Sequence, residues 1–424
     1  MKKSNYRQQT NNEFIKNKQA TSRCQKRLIS SMMLFFFSAF LLVSFQEQIQ
    51  IKGIVLAFLI PCMLYISTIW LPRFFRADSL ILAITNFLCA LGILVLYITD
   101  ILADTNRSIS QTINYCAGLV AMIICIYIIR YVKKWKFLMW LIIVIFSVLM
   151  ILPLFIGKET FGAINWIYIA GISFQPSEYT KIALIFVTAY FMSKKQFFAW
   201  FGFTLFCLLA LMLQRDLGAA LIYFFTVLFL YYIAYGNLWV IGLGCIGGAG
   251  AAVLGYKMFE HVKNRVAIWI NPWLYYEDTG YQIVQSLIAI ASGGAFGVGL
   301  GLGSPLVIPA YFNDMIFAVI CEQFGIIFGI LVLIMYVILI LRGTTIATNS
   351  QQRFYGLLAI GATVLLAMQT FVIIGGVLKF IPLTGITIPF ISYGGSSLVT
   401  CMGLIGILQG VQSITQDNLT KQNY

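Results

Sequence analysis

The chain has 424 residues, of which 60% are hydrophobic and only 10% are charged, and its formal net charge is +14. Apolar runs of about 18 or more residues recur along it, which excludes a soluble globular protein and predicts an integral membrane protein. Its positive charge does not indicate nucleic-acid binding, because no basic patch is interleaved with exposed aromatic residues in a soluble domain. His261 is the only histidine, which excludes a histidine-based metal cluster.

The hydrophobic runs predict an all-α polytopic membrane protein with roughly twelve transmembrane helices. Residues 1–27 are polar and basic, and are predicted to be a disordered cytoplasmic tail rather than a cleaved signal peptide. Residues 28–412 form one integral membrane domain, and residues 413–424 are predicted to be a cytoplasmic C-terminal tail. The predicted spans are 28–46, 52–70, 79–99, 113–131, 137–156, 179–195, 197–213, 217–235, 237–256, 313–341, 354–376 and 389–412.

The positions of Lys and Arg predict the orientation of these helices. Basic residues cluster in the N-terminal tail and at 73–76, 130–136, 194–195 and 342–353. With the amino terminus inside and twelve spans, every cluster lies on the cytoplasmic side, as positive-inside bias requires. Both termini are therefore expected in the cytoplasm. The connections on the other side, such as "TDILADTNRSIS", are then extracytoplasmic.

Polar residues concentrate in four extracytoplasmic segments, 157–178, 214–218, 257–312 and 377–397. Ionisable groups at or inside a membrane are costly, so they are candidates for function. The alternative is that they form salt bridges in helix packing, or that their side chains snorkel to the interface.

The first segment reads "FGAINWIYIAGISFQPSEYTKIAL". Its beginning predicts an amphipathic piece that lies in the membrane interface. Gln175, Pro176, Ser177 and Glu178 then open a helix, because proline suits the first turn and a carboxylate suits the positive helix end. Lys181 follows Glu178 at i+3, so the two can pair on one helix face. These residues alone favour a capped helix start with an internal ion pair over a binding function.

The second and fourth segments are short. Gln214, Arg215 and Asp216 form a polar turn at the outer end of a hairpin between two spans. The fourth segment ends in "YGGSS", which includes Ser396. Its consecutive N–H groups are typical of an anion-binding nest, or equally of a loop that leads into a helix.

The third segment changes character along its length. It begins with the cations Lys257, Lys263 and Arg265, and continues to the acidic pair Glu277 and Asp278. Six glycines between residues 293 and 303 then predict a broken, re-entrant element that lines a cavity. The alternative is a packing surface of small residues between helices.

Two further carboxylates follow the glycines. Asp314 is predicted to begin the span 313–341, and Glu322 lies two turns further, near the membrane interior. Taken together, the outer face offers cations and carboxylates over a glycine-lined cavity. This arrangement suits a lipid-linked anionic substrate, or an amphiphile or ion handled from the outer side.

At these residues the chain resembles the SEDS family (shape, elongation, division and sporulation), whose members include RodA, FtsW and SpoVE. The resemblance covers about residues 157–412. The motifs that carry it are "GAINWIYIAGISFQPSEYTKIAL", "QRDLGAALIYF", "NPW...GYQIVQSLIAIASGGAFGVGLGLG", "IPAYFNDMIFAVICEQFG" and "FIPLTGITIPFISYGGSS". The resemblance implies a polymerase of peptidoglycan glycan strands that uses lipid II at the outer leaflet of the bacterial cytoplasmic membrane. It also implies a class B penicillin-binding protein as partner.

The resemblance further implies a catalytic Asp in the loop before "GYQ", and Arg, Lys and acidic positions that line the cavity. Aligned without gaps, the family's acid position is Tyr275, so Asp278 is the first choice for the catalytic base and Glu277 the second. Arg265 would stabilise the pyrophosphate leaving group. The predicted substrate-binding residues are Arg265, Lys257, Lys263, Gln175, Ser177, Glu178, Lys181, Asp216, Asp314, Glu322 and Ser396.

The chain departs from the family pattern in two more places. Five helices are predicted before the first motif, where the family has three, and the family's Glu-Glu pair is Glu322-Gln323 here. A divalent cation, Mg²⁺ or Mn²⁺, is expected with the diphosphates, because Mg²⁺ needs only one or two carboxylates. The alternative functions are a flippase or transporter for lipid II, and a non-catalytic scaffold for a penicillin-binding protein.

Overall fold

The computed structural model of the protein describes residues 25–46, 49–160, 163–169 and 172–422. Most of the predicted basic tail, residues 1–24, lies outside the described residues. The first described helix begins at Gln25, three residues before the predicted start of the first span.

The described chain is helical apart from one small sheet and the connecting segments. In chain order the helices are α1 Gln25–Ser44, α2 Ile51–Phe75, α3 Ser79–Ala103, α4 Arg107–Tyr131, α5 Trp135–Ile156, α6 Pro176–Ser193, α7 Phe197–Leu213, α8 Leu217–Tyr235, α9 Leu238–Met258, α10 Glu260–Ile270, α11 Tyr281–Gly293, α12 Ile316–Phe324, α13 Ile326–Asn349, α14 Arg353–Val377 and α15 Gly395–Gln422.

Ten of the described helices are long and apolar enough to cross a membrane, by length and composition. Helices α6 and α7 occupy two further predicted spans, but α7 has only 17 residues and α6 carries the buried pair Glu178 and Lys181. The all-α polytopic membrane fold is therefore confirmed. The count of twelve spans stays a prediction.

Helix α3 lies at the centre of the bundle. In its most apolar stretch 94% of the residues are buried, compared with 6% in α9. A helix that is hydrophobic on every side must be covered by other helices or by lipid. Helix α3 is covered by protein, and α9 presents almost all of its surface outward.

Helix α15 packs closely along α4 because small residues line the contact. A β-carbon on Gly406 would collide with the backbone of Met122, and one on Gly410 would lie 2.9 Å from the Ile129 side chain. Glycines at such positions let helix backbones approach closely, which is a common way to pack helices in membranes.

The predicted amphipathic piece at the start of the first polar segment has an extended backbone, and its place in the membrane interface stays a prediction. The chain forms an antiparallel sheet there, with strands β1 Lys158–Thr160, β2 Ala163–Ile169 and β3 Ile172–Phe174. Aromatic and β-branched residues favour extended backbone. The sheet is attached to the turn between α7 and α8, where the Ile164 amide donates to the carbonyl of Gln214 at 2.9 Å.

The predicted single span 313–341 is wrong, because the chain breaks at Gly325 between α12 and α13. Gly325 has φ +86°, a backbone conformation that favours glycine. The Ile326 amide donates to the carbonyl of Gly294 at 3.0 Å, so the break is held against the glycine-rich segment.

The glycine-rich segment is irregular, as predicted. Between α11 and α12 it forms turns, with one short 3-10 helix at Pro305–Val307. Its backbone pairs with that of α12, because the Val298 amide donates to the carbonyl of Glu322 at 2.9 Å. Whether the segment re-enters the membrane stays a prediction.

Residues 413–422 of the predicted C-terminal tail are the end of helix α15, and residues 423–424 lie outside the described residues. Asp417 explains the continuation, because it forms ion pairs with Arg76 at 3.0 Å and with Arg130 at 2.9 Å. The last helix also begins later than predicted, at Gly395.

Gly293→Ala is expected to destabilise the fold by about 1–3 kcal/mol, because the added methyl group would overlap the carbonyl of Cys321 on α12. The matched control is Gly242→Ala, since Gly242 is also helical and has open space at its β-carbon position. Thermal unfolding of the purified variants in detergent measures both. Equal melting temperatures would show that α11 and α12 do not pack this closely.

Candidate active site

The side chains of Arg265 and Asp314 face each other across Gly385. Arg265 lies on α10 and donates from Nη1 to the carbonyl of Thr384 at 3.0 Å. A β-carbon on Gly385 would lie 3.6 Å from Oδ2 of Asp314 and 3.7 Å from Nη2 of Arg265. The two groups do not form a direct ion pair, so the space above Gly385 separates a cation from a carboxylate.

Electrostatics couple these two residues. Burial raises the pKa of the Asp314 carboxyl to about 7, and the positive charge of Arg265 opposes this rise. Burial lowers the pKa of the Arg265 guanidinium, while the carboxylates of Asp314 and Asp216 raise it. Asp314 is therefore poised to gain or lose a proton near neutral pH.

His261 lies near two arginines, Arg265 and Arg215. Its pKa is lowered by burial, and then by the charges of Arg265 and Arg215. The imidazole is therefore mainly neutral at pH 7, and the positive charge at this end of the site comes from the arginines.

Asp216 holds the surrounding elements together. Its Oδ1 accepts from the Ala219 amide at 3.0 Å and caps α8. Its Oδ2 accepts from Nδ2 of Asn165 at 2.8 Å and from Nε2 of Gln175 at 3.4 Å. Because both oxygens are used, Asp216 positions the sheet and the start of α6 beside Arg265.

Gln175 and Ser396 lie together at the same end of the bundle. The backbone amide of Gln175 donates to Oγ of Ser396 at 3.4 Å, so the first turns of α6 and α15 meet there. Ser177 is buried, and its carbonyl accepts from the Tyr223 hydroxyl at 2.6 Å. Of these three predicted residues, Gln175 contacts Asp216 directly, and Ser177 and Ser396 lie next to Gln175.

The predicted ion pair on α6 is confirmed. Nζ of Lys181 lies 2.6 Å from Oε1 of Glu178, and both side chains are almost fully buried. The lysine also donates to Oε1 of Gln369 at 3.3 Å. Gln369 in turn donates from Nε2 to the carbonyl of Thr387 at 3.0 Å, which links the pair to the 379–394 segment.

Glu322 belongs to a different part of the structure. It is buried, and its Oε1 accepts from the Ser304 amide at 3.0 Å. Its Oε2 has no hydrogen-bond partner among the described residues. Glu322 therefore holds the glycine-rich segment, and no hydrogen bond or ion pair connects it to Arg265 or Asp314.

Asp278 and Glu277 lie in an exposed turn between the 3-10 helix Pro272–Tyr275 and α11. The Asp278 backbone closes this turn by donating to the carbonyl of Tyr275 at 3.2 Å. In the described part of the chain, neither carboxylate makes a hydrogen bond or ion pair with another candidate residue. Tyr275 at the family's acid position is itself exposed.

The other predicted cations are more loosely placed. Lys257 is exposed near the end of α9. Lys263 pairs at 3.7 Å with Glu260 on the surface of α10, where such a contact contributes little. Neither lysine is held in the cluster around Asp314 by a contact within the described chain.

Arg107 is a residue that the sequence analysis missed. It begins α4, donates from Nη1 to the Tyr311 hydroxyl at 2.6 Å, and lies 3.9 Å from the ring centre of Phe312. It therefore fixes the segment that immediately precedes Asp314. Its signal was in the sequence, since it is the single basic residue in the predicted outer loop "TDILADTNRSIS", whose other charged residues are two aspartates.

The described residues contain no group of three or more His, Cys, Asp or Glu side chains that could hold a metal ion. Both oxygens of Asp216 are already hydrogen-bonded, which leaves Asp314 as the carboxylate that is open to a ligand. A metal ion that needs three such ligands therefore has no site among the described residues.

Comparison with known proteins identifies the family of the chain. A family model described as "Cell cycle protein", FTSW_RODA_SPOVE, matches residues 78–417. The chain belongs to this family. The matched range contains α3 to most of α15, and helices α1 and α2 precede it.

Several relatives of this SEDS protein span most of its length. The peptidoglycan glycosyltransferase RodA of Mycobacterium tuberculosis is 33% identical and aligns with 78% of this chain and 77% of its own. The stage V sporulation protein E of Bacillus subtilis is 33% identical over 79% of this chain and 96% of its own. A probable peptidoglycan glycosyltransferase FtsW of Geobacter sulfurreducens is 36% identical over 61% and 72%.

Solved structures show the same fold. A chain in the structure of a peptidoglycan synthase complex matches with a TM-score of 0.67 and 22% identity, covering 80% of this chain and 98% of that one. The crystal structure of RodA from Thermus thermophilus matches with a TM-score of 0.57 and 22% identity, covering the same shares.

Lys181→Met is expected to destabilise this SEDS protein by about 3–5 kcal/mol, because it leaves the Glu178 carboxylate unpaired in a buried site. The matched double variant Glu178→Gln/Lys181→Met removes both charges and is expected to regain most of that loss. Thermal unfolding compares the two variants with the wild type. A Lys181→Met protein with normal stability and no activity would instead assign Lys181 to the substrate.

Proposed function

We propose that this protein polymerises peptidoglycan glycan strands from lipid II at the outer leaflet of the cytoplasmic membrane. Its family membership and its identity to peptidoglycan glycosyltransferases over most of both chains support the activity. The observation that carries the assignment to residues is Asp314 beside Arg265 across Gly385. Glycosyl transfer from a diphosphate-linked donor to a sugar hydroxyl requires a carboxylate and a cation with a space between them.

In this mechanism Asp314 is the general base. Its carboxylate accepts the proton of the acceptor sugar's 4-hydroxyl, and the freed oxygen attacks the anomeric carbon of the lipid-linked donor. The bond between that carbon and the diphosphate oxygen breaks, and the diphosphate leaves with the bonding electrons. Arg265 stabilises the negative charge on this leaving group.

Asp278, with Glu277 second, remains the alternative base that the loop position suggests. Both carboxylates are exposed and lack contacts to the Arg265 cluster, whereas Asp314 is half-buried beside it. The geometry therefore favours Asp314. Asp278 would have to reach the acceptor through a movement of the 271–280 loop when substrate binds.

A divalent cation stays a prediction for the substrate complex. Mg²⁺ usually keeps several waters and binds through one or two carboxylates together with substrate phosphates. Asp314 is the residue that could contribute such a carboxylate if Mg²⁺ or Mn²⁺ arrived with lipid II. The chemistry proposed above needs no step through the ion.

We also propose that both termini lie in the cytoplasm and that a class B penicillin-binding protein is the partner. The distribution of basic residues supports the orientation. The fold shared with a chain of a peptidoglycan synthase complex supports an assembly of this kind.

The purified protein should polymerise lipid II in the presence of its partner. Movement of lipid II across liposomes without polymer would instead favour a flippase, and neither activity would favour a scaffold.

Asp314→Asn is expected to lower the rate of polymerisation about 10²–10⁴-fold, because it keeps the shape of the side chain and removes the proton acceptor. Asp278→Asn serves as the comparison and should have a mild effect. Polymer formation from lipid II by the purified variants measures both. The reverse ranking would return the role of base to the loop carboxylate.

The pH dependence provides a separate test. A general base must be deprotonated, so the rate should fall as the pH falls through about 7, the pKa of Asp314. Arg265→Gln removes the charge that lowers this pKa. The midpoint of the pH–rate profile should therefore move to higher pH, and the rate should also decrease. A slower variant with an unchanged midpoint would contradict the coupling between Arg265 and the base.

A further inference from the structure

A second cleft lies at the opposite end of helix α6 from the candidate active site. Helix α6 begins beside Asp216 and ends at Ser193, so its 18 residues separate the two ends by about 27 Å. The cleft there is open and has a volume of about 650 Å³. Its lining residues are Lys133, Lys134, Trp135, Lys136, Phe137, Trp140, Tyr190 and Lys194.

The charges of this cleft are all positive. The four lysines are exposed, and none of their side chains makes an ion pair or hydrogen bond within residues 25–46, 49–160, 163–169 and 172–422. Helix α5 begins at Trp135 without a side-chain cap, so the positive end of its dipole points to the same place. The cleft therefore attracts an anion, and no carboxylate lines it.

The aromatic wall of the cleft is already fixed by packing. Trp135 stacks on Phe186 with ring centres 5.8 Å apart, and Trp140 meets Phe191 edge-on at 5.6 Å. Tyr190 packs edge-on against Phe354 at 5.6 Å. Trp and Tyr are enriched where a membrane meets water. The cleft is thus preformed, and its wall has the composition expected at the depth of lipid headgroups.

An apolar groove of about 770 Å³ continues from the cleft and shares Trp140 with it. It runs between α5 and α7 and is lined mainly by apolar residues such as Ile143, Phe203 and Phe206, with Gly202 in its wall. Its polar lining residues are Ser147, Lys195 and Gln196. A β-carbon on Gly202 would have no atom within 4 Å, so the groove is open there. A cationic cleft joined to an apolar groove matches an amphiphile with an anionic head.

We propose that this site binds an anionic phospholipid, with the phosphate among the lysines and an acyl chain along the groove past Trp140. Lysines that serve only to orient the protein would need no preformed cleft and no adjoining groove. Basic pockets between transmembrane helices on the cytoplasmic side are known to take anionic lipid headgroups. The site is separate from the candidate active site, so the proposal does not depend on the polymerase assignment.

The test measures lipid binding by thermal unfolding of the full chain purified in detergent. Phosphatidylglycerol is added, and phosphatidylcholine with the same acyl chains is the reference lipid. Phosphatidylglycerol should raise the melting temperature of the wild type more than phosphatidylcholine does. An equal rise with both lipids, or with inorganic phosphate alone, would overturn the proposal.

The headgroup site is tested by Lys133→Gln/Lys134→Gln/Lys136→Gln. A basic residue near anionic lipid contributes roughly a factor of five in affinity, so the triple variant should bind phosphatidylglycerol about 100-fold more weakly. The matched control is Lys26→Gln/Arg27→Gln/Arg73→Gln, which removes three exposed charges on the same predicted side, outside the cleft. The control should keep the wild-type response. Equal loss in both variants would mean that only the overall charge matters.

The acyl-chain groove is tested by Gly202→Leu, which adds a branched side chain to the groove wall at a position where the β-carbon would meet no atom within 4 Å. It should remove the response to phosphatidylglycerol while the lipid-free protein stays as stable as the wild type. Gly242→Leu is the control, because its β-carbon position on α9 is equally open and lies outside the groove. A full response in Gly202→Leu would overturn the assignment of the groove, and displacement of the lipid by a soluble acidic peptide would favour a protein ligand instead.

Discussion

The buried ion pair of Glu178 and Lys181 holds together the end of the bundle that carries the candidate active site. Removing two charges from water costs several kcal/mol per ion, so the pair is tolerated only with good geometry and additional hydrogen bonds. Oε1 of Gln369 on α14 accepts one of these hydrogen bonds from Lys181, and Nε2 of the same residue donates to the carbonyl of Thr387. Arg265 contacts the same segment from the opposite side, at the carbonyl of Thr384. The space between Arg265 and Asp314 is therefore shaped by a segment that the ion pair anchors from within the bundle.

The glycine-rich segment provides the second constraint, and it acts through the backbone. A β-carbon on Gly297 would overlap the carbonyl of Gln323, so the segment can lie against α12 only without a side chain there. The N-terminal helices take part in the same arrangement although they precede the range of the family match. Gln46, just after α1, donates to the carbonyl of Leu300 at 2.7 Å, and Ser44 lies 3.0 Å from the Tyr97 hydroxyl on α3. Helix α1 is thus packed against the family fold, and Gln46, which follows it, contacts the irregular segment.

Local patterns predicted the parts of the structure that depend on neighbours in sequence. Hydrophobic runs located the long helices, and the i+3 spacing of Glu178 and Lys181 predicted their pair. The break at Gly325 was missed because the apolar residues on either side of Glu322-Gln323 were taken as one span. The contact that holds the break, between the Ile326 amide and the carbonyl of Gly294, joins residues far apart in sequence. The short sheet was missed because its aromatic and β-branched residues are equally compatible with an interfacial segment.

The candidate site was harder to predict, because its contacts join residues that are far apart in sequence. Arg265 lies on helix α10, whereas Asp314 and Gly385 lie in two separate connections, and no spacing rule places them together. The loop motif drew attention to Asp278, which shares its region of sequence with the family's acid but has no contact to the cluster. Arg107 was missed because a single basic residue in a predicted outer loop looks like an exception to the positive-inside pattern. Its contact with Tyr311 explains that exception.

The electrostatics of the cluster suggest how substrate and base would work together in the proposed reaction. Arg265 lowers the pKa of Asp314 in the free protein, against the larger effect of burial. A bound diphosphate would neutralise that guanidinium and add negative charge, so the pKa of Asp314 would rise when the donor is in place. A carboxylate with a higher pKa accepts a proton more readily, provided it is still ionised when the acceptor arrives. The same arginine that holds the leaving group would then make the base stronger only when there is a donor to react with.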